Sequence, residues 1–230
     1  MIQITLSDEI RAACPDLHVL ALACEVKNSE PDALLWEEIA QEEEAVRQSM
    51  KLEEVNKWLP IQATRQAYKR LGKDPNRYRP SAEALRRRIL RGLPLYRIDT
   101  LVDLINLVSI RSGYSIGGFD AAKIQGGQLV LGVGQEGELY HGIGRGELNI
   151  AGLPVYRDAV GGIGTPTSDE ERTKISLETT SLLMIINGYS GREGLLDAGT
   201  YAAELLRKYA YATRFDALWV HQDEAKSITI

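Results

Sequence analysis

VDLINLVSIRSGYSIGGFDAAKI, residues 102–124, joins two kinds of local order. Its first half belongs to the run IDTLVDLINLVSIRSG, in which Leu101, Leu104, Ile105 and Val108 share one face at helical spacing. That pattern predicts an amphipathic helix. Gly113 should end it, because a residue without Cβ enters the left-handed conformation that closes helices at no steric cost. The second half then sets Gly113, Gly117 and Gly118 beside Ser112 and Ser115. Glycine is used where φ is positive or where backbone must approach something closely. Three of them around one turn make either a crowded junction or a pocket wall built of main chain.

Outward from that junction the texture differs on the two sides. Downstream, residues 126–165 are rich in glycine between short apolar runs, which suits several short strands joined by tight turns. KISLETTSLLMIING (174–188) reads as one or two further strands. AGTYAAELLRKYA (198–210) reads as a closing helix with Tyr201, Leu205 and Tyr209 facing inward. Upstream, LHVLALACEV (17–26) has the aliphatic density of a buried strand. PDALLWEEIAQEEEAVRQSM (31–50) has proline at a helix start and Leu35, Ile39 and Val46 at near-helical spacing. IQATRQAYKRLG is a helix stopped by Gly72, KDPNRYRP a loop, and PSAEALRRRILRGL a short helix with Ser81 as its N-cap. Helices interspersed with clustered strands predict an α+β fold: a single compact domain over residues 1–230, with a mostly antiparallel or mixed sheet flanked by helices.

The chain of 230 residues is 44% hydrophobic and 26% charged, the balance of a globular protein with a real core. No apolar run is long enough to cross a membrane, and the start lacks the pattern of a signal peptide. Cys14 and Cys24 form no CxxC pair, and His18, His141 and His221 are scattered, so buried inert thiols are expected rather than a metal or redox centre. No cofactor is expected, and a cytoplasmic location follows. GxSxG, P-loop, HExxH and Rossmann signatures do not occur, which leaves serine hydrolase, nucleotide hydrolase and zinc protease readings without support.

Charge is strongly segregated. Residues 1–60 carry 13 acidic and 5 basic side chains, residues 61–97 carry 2 and 11, and the remainder carries 17 and 11. The cationic segment offers Arg65, Lys69, Arg70, Arg77, Arg79, Arg86, Arg87 and Arg88, with Tyr68 and Tyr78 among them. Clustered arginines supply forked donors for phosphate and planar faces for bases, so a local RNA-docking patch is one reading. Pairing of these arginines with the acidic first 60 residues, or a merely solvated face, are the others.

The residues quoted first also carry a resemblance. VDLINLVSIRSGYSIGGFDAAKI is similar to a stretch of the editing domain of the phenylalanyl-tRNA synthetase β subunit, the B3/B4 domain. That family's pattern runs V-D-x-x-N-x-V and then G-Q-P-x-H-A-F-D. Val102, Asp103, Asn106 and Val108 match the first part; Gly113, Phe119 and Asp120 match the second without a gap. A glycine pair followed by T-x-x-x-L-L-E is answered by Gly161, Gly162, Thr173 and Glu178, one residue out of register. The likeness runs over about 65–190, and the motifs come in the family's order.

The resemblance implies a freestanding version of a domain that hydrolyses tyrosine wrongly attached to the phenylalanine tRNA. It implies tRNA, held at its acceptor end, as partner, and an aminoacyl group or other small molecule as ligand, with no membrane involved. Such an ester needs only a placed water and donors to the oxyanion. The implied pocket comprises Asn106, Ser115, Gly117, Gly118, Phe119, Gly161, Gly162, Glu178 and Thr179, with glycine N–H groups as donors and Glu178 reading a phenolic hydroxyl. No catalytic residue is assigned. Gly117 stands where the family has histidine and Ser115 where it has proline, so the expected pocket lacks its usual polar side chain, and tyrosyl specificity is not carried over. A non-catalytic amino-acid binder and an RNA-binding module on the same fold are the alternatives, and His141 is a further, more distant candidate for the pocket.

Overall fold

The computed structural model describes residues 2–230. Its centre is a five-stranded antiparallel sheet in which β2 (His18–Glu25), β3 (Ile116–Asp120), β9 (Ser181–Gly188), β10 (Thr213–His221) and β11 (Glu224–Ile228) take the order β11-β10-β2-β9-β3. Alternation along β2 explains its two-sided burial. Leu20, Leu22 and Cys24 point to one layer, and Val19 and Ala21 to the other.

On the first side lie α5 (Thr100–Ser112) and α6 (Leu195–Ala210), which bury Leu101, Leu104, Val108, Ala202, Leu205 and Leu206 against the sheet. On the second side lies a mixed sheet of β1 (Gln3–Leu6), β4 (Gln128–Val133), β7 (Pro154–Arg157) and β8 (Gly162–Gly164), in which β1 and β4 are parallel. Ile4, Leu6, Leu129, Leu131 and Tyr156 from this sheet interdigitate with Val19, Leu183 and Ile185. The result is an α+β fold of three layers: helices, antiparallel sheet, mixed sheet. The helices α2 (Ala33–Ser49), α3 (Leu59–Arg70) and α4 (Ser81–Leu90) pack about its edge, and α1 (Asp8–Ala13) follows β1. β5 (His141–Gly142) and β6 (Gly146–Glu147) form a small hairpin.

The predicted helices and strands are present, with three differences. The N-cap of α4 is Pro80, and no side chain caps the helix, so Ser81 is its first residue rather than its cap. Residues 174–180 are not a strand; only β9 follows. And α6 does not close the fold, because β10 and β11 add two strands to the central sheet after it. Gly113 ends α5 with φ of 78°, as its place required. No helix among the described residues is long and apolar enough to cross a membrane. Cys14 and Cys24 are free and buried, and burial pushes their thiols up to about 11 and about 12.

Candidate functional site

The turn after α5 feeds β3, the edge strand of the central sheet, and this junction floors a cavity of about 400 Å³. Val102, Ile105, Asn106 and Ser109 from α5 line one side, and Ile116 and Gly118 from β3 line the floor. Thr165, Ser168, Asp169, Lys174 and Ile175 close the other side, with Ile98 and Ile143 among the walls. Five isoleucines and Val102 supply the apolar wall, and Ser81, Asn106, Ser109, Thr165, Ser168, Asp169 and Lys174 supply polar groups around it. A compact apolar group with one polar end is what such a space accommodates.

Asp169 is the titratable acid in that lining. Its Oδ2 accepts a hydrogen bond of 3.1 Å from the Gly118 N–H. A Cβ added at Gly164 would stand 2.9 Å from Asp169 Oδ1, and one at Gly117 would stand 3.6 Å from it. Gly164 thus leaves space that the carboxyl fills, and Gly117 lies in contact distance beside it. The backbone of residue 169 is held by a bridge to Gly164 and by the Ile143 N–H, which donates to its carbonyl at 2.9 Å. Burial pushes the carboxyl up to about 7, against the lowering effect of the single Gly118 hydrogen bond. Asp169 therefore exchanges its proton near neutrality, and it offers a ligand an acceptor when ionised and a donor when protonated.

Of the residues expected in the pocket, Asn106 and Gly118 line the cavity. Gly117 does not: a Cβ there would meet the Phe119 ring at 2.6 Å, on the opposite face of β3. The position is filled rather than vacant, and the Phe119 ring itself lies in the core between the two sheets. Ser115 is buried beside the site, where its Oγ accepts from the Ala82 N–H and its carbonyl from Asn187 Nδ2. Gly161 and Gly162 lie outside the lining; Gly162 packs against the Tyr140 ring. Thr179 donates to Asp120 Oδ2 at 3.0 Å and so ties β3 to the segment before β9. Glu178 is exposed on the surface and lines no part of the cavity. His141 is exposed, 4.0 Å from Glu170, and also outside it. Glycines 161 and 162 and Glu178 thus stand outside this cavity. The acid comes from residue 169, in a stretch, TPTSDEER, that reads as an ordinary surface loop.

The basic segment is partly engaged within the fold. It folds around one buried acid of its own, Glu83, which is 1% exposed. Arg65 and Arg87 bond its carboxylate at 2.8 and 2.7 Å, and Arg79 stands at 3.5 Å. Arg86 is buried, donates to the Ile110 carbonyl at 2.8 Å and lies 3.8 Å from the centre of the Trp58 ring. Arg88 lies over Tyr96 and donates to the Pro94 carbonyl, and Arg70 donates to that of Ala13. The pairing acid thus sits inside the segment rather than in residues 1–60. Lys69 and Arg77 are exposed and form no ion pair among the described residues.

A crystal structure of an N-terminal fragment of the phenylalanyl-tRNA synthetase β subunit from Pyrococcus horikoshii is similar in fold, with a TM-score of 0.52 and 12% sequence identity. The likeness covers 99% of this chain and 54% of that one, so the chain spans about half the length of the synthetase fragment. No match is found among curated proteins. A family model described as the B3/4 domain matches residues 63–210, a range that contains α5, β3, Asp169 and the whole cavity lining, and the chain belongs to that family.

Proposed function

We propose that this protein recognises an aminoacyl group in the cavity floored by Gly118 and hydrolyses its ester to tRNA in trans. One observation carries the reading: Asp169, seated on glycine backbone at the base of an apolar cavity, has a carboxyl that titrates near neutrality. The isoleucine and valine walls receive the amino-acid side chain. Asp169 serves as the proton acceptor for an attacking water and then returns that proton to the ribose oxygen as the ester bond breaks, a role best filled near the ambient pH. Gly118 is not free to stabilise an oxyanion, because its N–H is engaged by Asp169. The substrate's own activated ester carries more of the burden.

The acceptor end of a tRNA would be held by the cations that the fold leaves exposed, Lys69 and Arg77 among them, rather than by the Glu83 cluster. Cytoplasmic residence and one functional unit over residues 1–230 accompany this reading.

The second reading is a binder of free amino acids using the same cavity. It is favoured by the engagement of Arg65, Arg86 and Arg87 within the fold, which leaves less positive surface for RNA. Deacylation of a panel of charged and mischarged tRNAs by wild type and Asp169→Asn tests the pair. Hydrolysis of one mischarged species, slowed roughly 10²-fold or more in the variant, is expected for a general base. Absence of hydrolysis together with melting-temperature rises from a free amino acid would overturn the first reading and support the second.

A further inference from the structure

At the other edge of the central sheet, a separate cavity of about 310 Å³ shares no lining residue with the first. His18 of β2, Trp219 and His221 of β10, Glu224, Lys226 and Ile228 of β11, Arg192 just before α6 and Leu196 in its first turn line it, with Thr229. His18 and His221 are directly paired across the strands, and their rings stack 3.9 Å apart at 18°.

The hydrogen bonds settle which nitrogen of each neutral ring carries the proton. Trp219 Nε1 is a donor only, and it lies 3.1 Å from His18 Nδ1, so His18 Nδ1 accepts and its Nε2 carries hydrogen. The Leu17 carbonyl is an acceptor only, and it lies 2.9 Å from His221 Nδ1, so His221 Nδ1 donates and its Nε2 keeps a lone pair. Neither Nε2 has a protein partner among the described residues. The cavity thus holds one imidazole donor and one imidazole acceptor on stacked rings. Arg192 and Lys226 stand in the same lining without an ion pair among the described residues.

We propose that this cavity binds a phosphate group, either free or as a small monoester. Within the lining two cations outweigh the single Glu224 carboxylate, and Asp16, the other acid acting on His18, stands outside it, so the cavity suits an anionic ligand. The adjacent donor and acceptor select an anion that both accepts and donates: near neutral pH inorganic phosphate carries P–O⁻ and P–OH together, a monoester does so in its monoanion, and a carboxylate does not. Lowering of the His18 pKa, first by burial and then by His221 and Arg192, keeps that ring in its neutral form. Trp219, Leu196 and Ile228 supply an apolar wall for the organic part of a monoester.

The test is titration of ¹⁵N-histidine-labelled protein with inorganic phosphate, with glycerol phosphate and with acetate, read through the imidazole resonances. The expected result is an Nε2–H tautomer for His18 and Nδ1–H for His221, both shifted saturably by phosphate while His141 stays in place. Charge-assisted hydrogen bonds should make Arg192→Ala and Lys226→Ala each weaken binding about tenfold or more. Tighter binding of glycerol phosphate than of inorganic phosphate identifies the monoester as ligand, and equal binding identifies the free ion. The proposal is overturned by the absence of a saturable shift, by acetate binding as tightly as phosphate, or by unchanged affinity in both variants. Melting temperatures equal to wild type establish that the variants, whose substituted side chains are exposed, remain folded.

Discussion

The Gly118 N–H donates a hydrogen bond of 3.1 Å to Asp169 Oδ2 across a sequence separation of 51 residues. It ties the edge strand of the central sheet to the segment following β8, and among the described residues it is the one backbone donor that reaches the buried carboxyl. A carboxylate with a single hydrogen bond in an apolar cavity is destabilised in its charged form, which is why its proton is lost only near pH 7.

Stability should carry that signature. The folded-state pKa of Asp169 is about 7 against 3.8 for an unperturbed aspartate, so its contribution is fully present below about pH 4 and is lost as pH rises through 7. Asp169→Asn removes the charge at constant shape and should raise the unfolding free energy at pH 8, by at most roughly 4 kcal/mol, while changing little at pH 4. Urea melts of both proteins at the two pH values check this. Equal effects at both would refute the buried-acid assignment.

Two neighbouring glycines should respond differently to alanine. At Gly117 the new Cβ meets the Phe119 ring at 2.6 Å inside the core, and relief requires moving a packed aromatic. We expect a loss of about 1–3 kcal/mol. At Gly118 the new Cβ meets the Cδ1 ends of Ile105 and Ile175 at 2.5 and 3.0 Å, both of which line the cavity and have more freedom to turn. Gly118→Ala should therefore lower ligand affinity or deacylation more than it lowers the melting temperature.

Glu83 is the acid that three arginines share. Glu83→Ala leaves Arg65 and Arg87, both largely buried, without a counter-charge, and unfolding free energy should fall by roughly 3–5 kcal/mol. Lys69→Glu and Arg77→Glu touch no such network, and they should leave the melting temperature unchanged while weakening any tRNA binding in a salt-dependent way. Denaturation and filter binding at two ionic strengths separate the two roles.

His18 faces His221, Arg192 and Lys226, with Asp16 as the opposing acid. Its folded-state pKa is lowered below 6.5, chiefly by burial, so the unfolded chain binds the proton better. Stability should fall as pH drops below about 6.5, and His18→Asn, whose Oδ1 also accepts from Trp219, should flatten that fall. Melting curves between pH 5 and 8 measure it.

Much of this molecule was legible in its residues because the information is local. Apolar spacing in 100–112 and the glycine at 113 define α5, the aliphatic density of 17–26 defines β2, and the glycine spacing of 126–165 predicts short strands. The ordered motifs in 102–124 pointed to the B3/4 family and placed Asn106 and Gly118 in the cavity. The rest depended on pairings with no local trace. Asp169 is an ordinary acid in a polar loop until the fold lays it over glycines 117, 118 and 164. The basic run looks like a phosphate-binding face until Glu83, 18 residues from Arg65, is buried among its guanidinium groups. Periodicity determines which face of an element is apolar. Only the tertiary structure decides which polar group is removed from water and what stands next to it, and on those two facts the acid–base chemistry of both cavities depends.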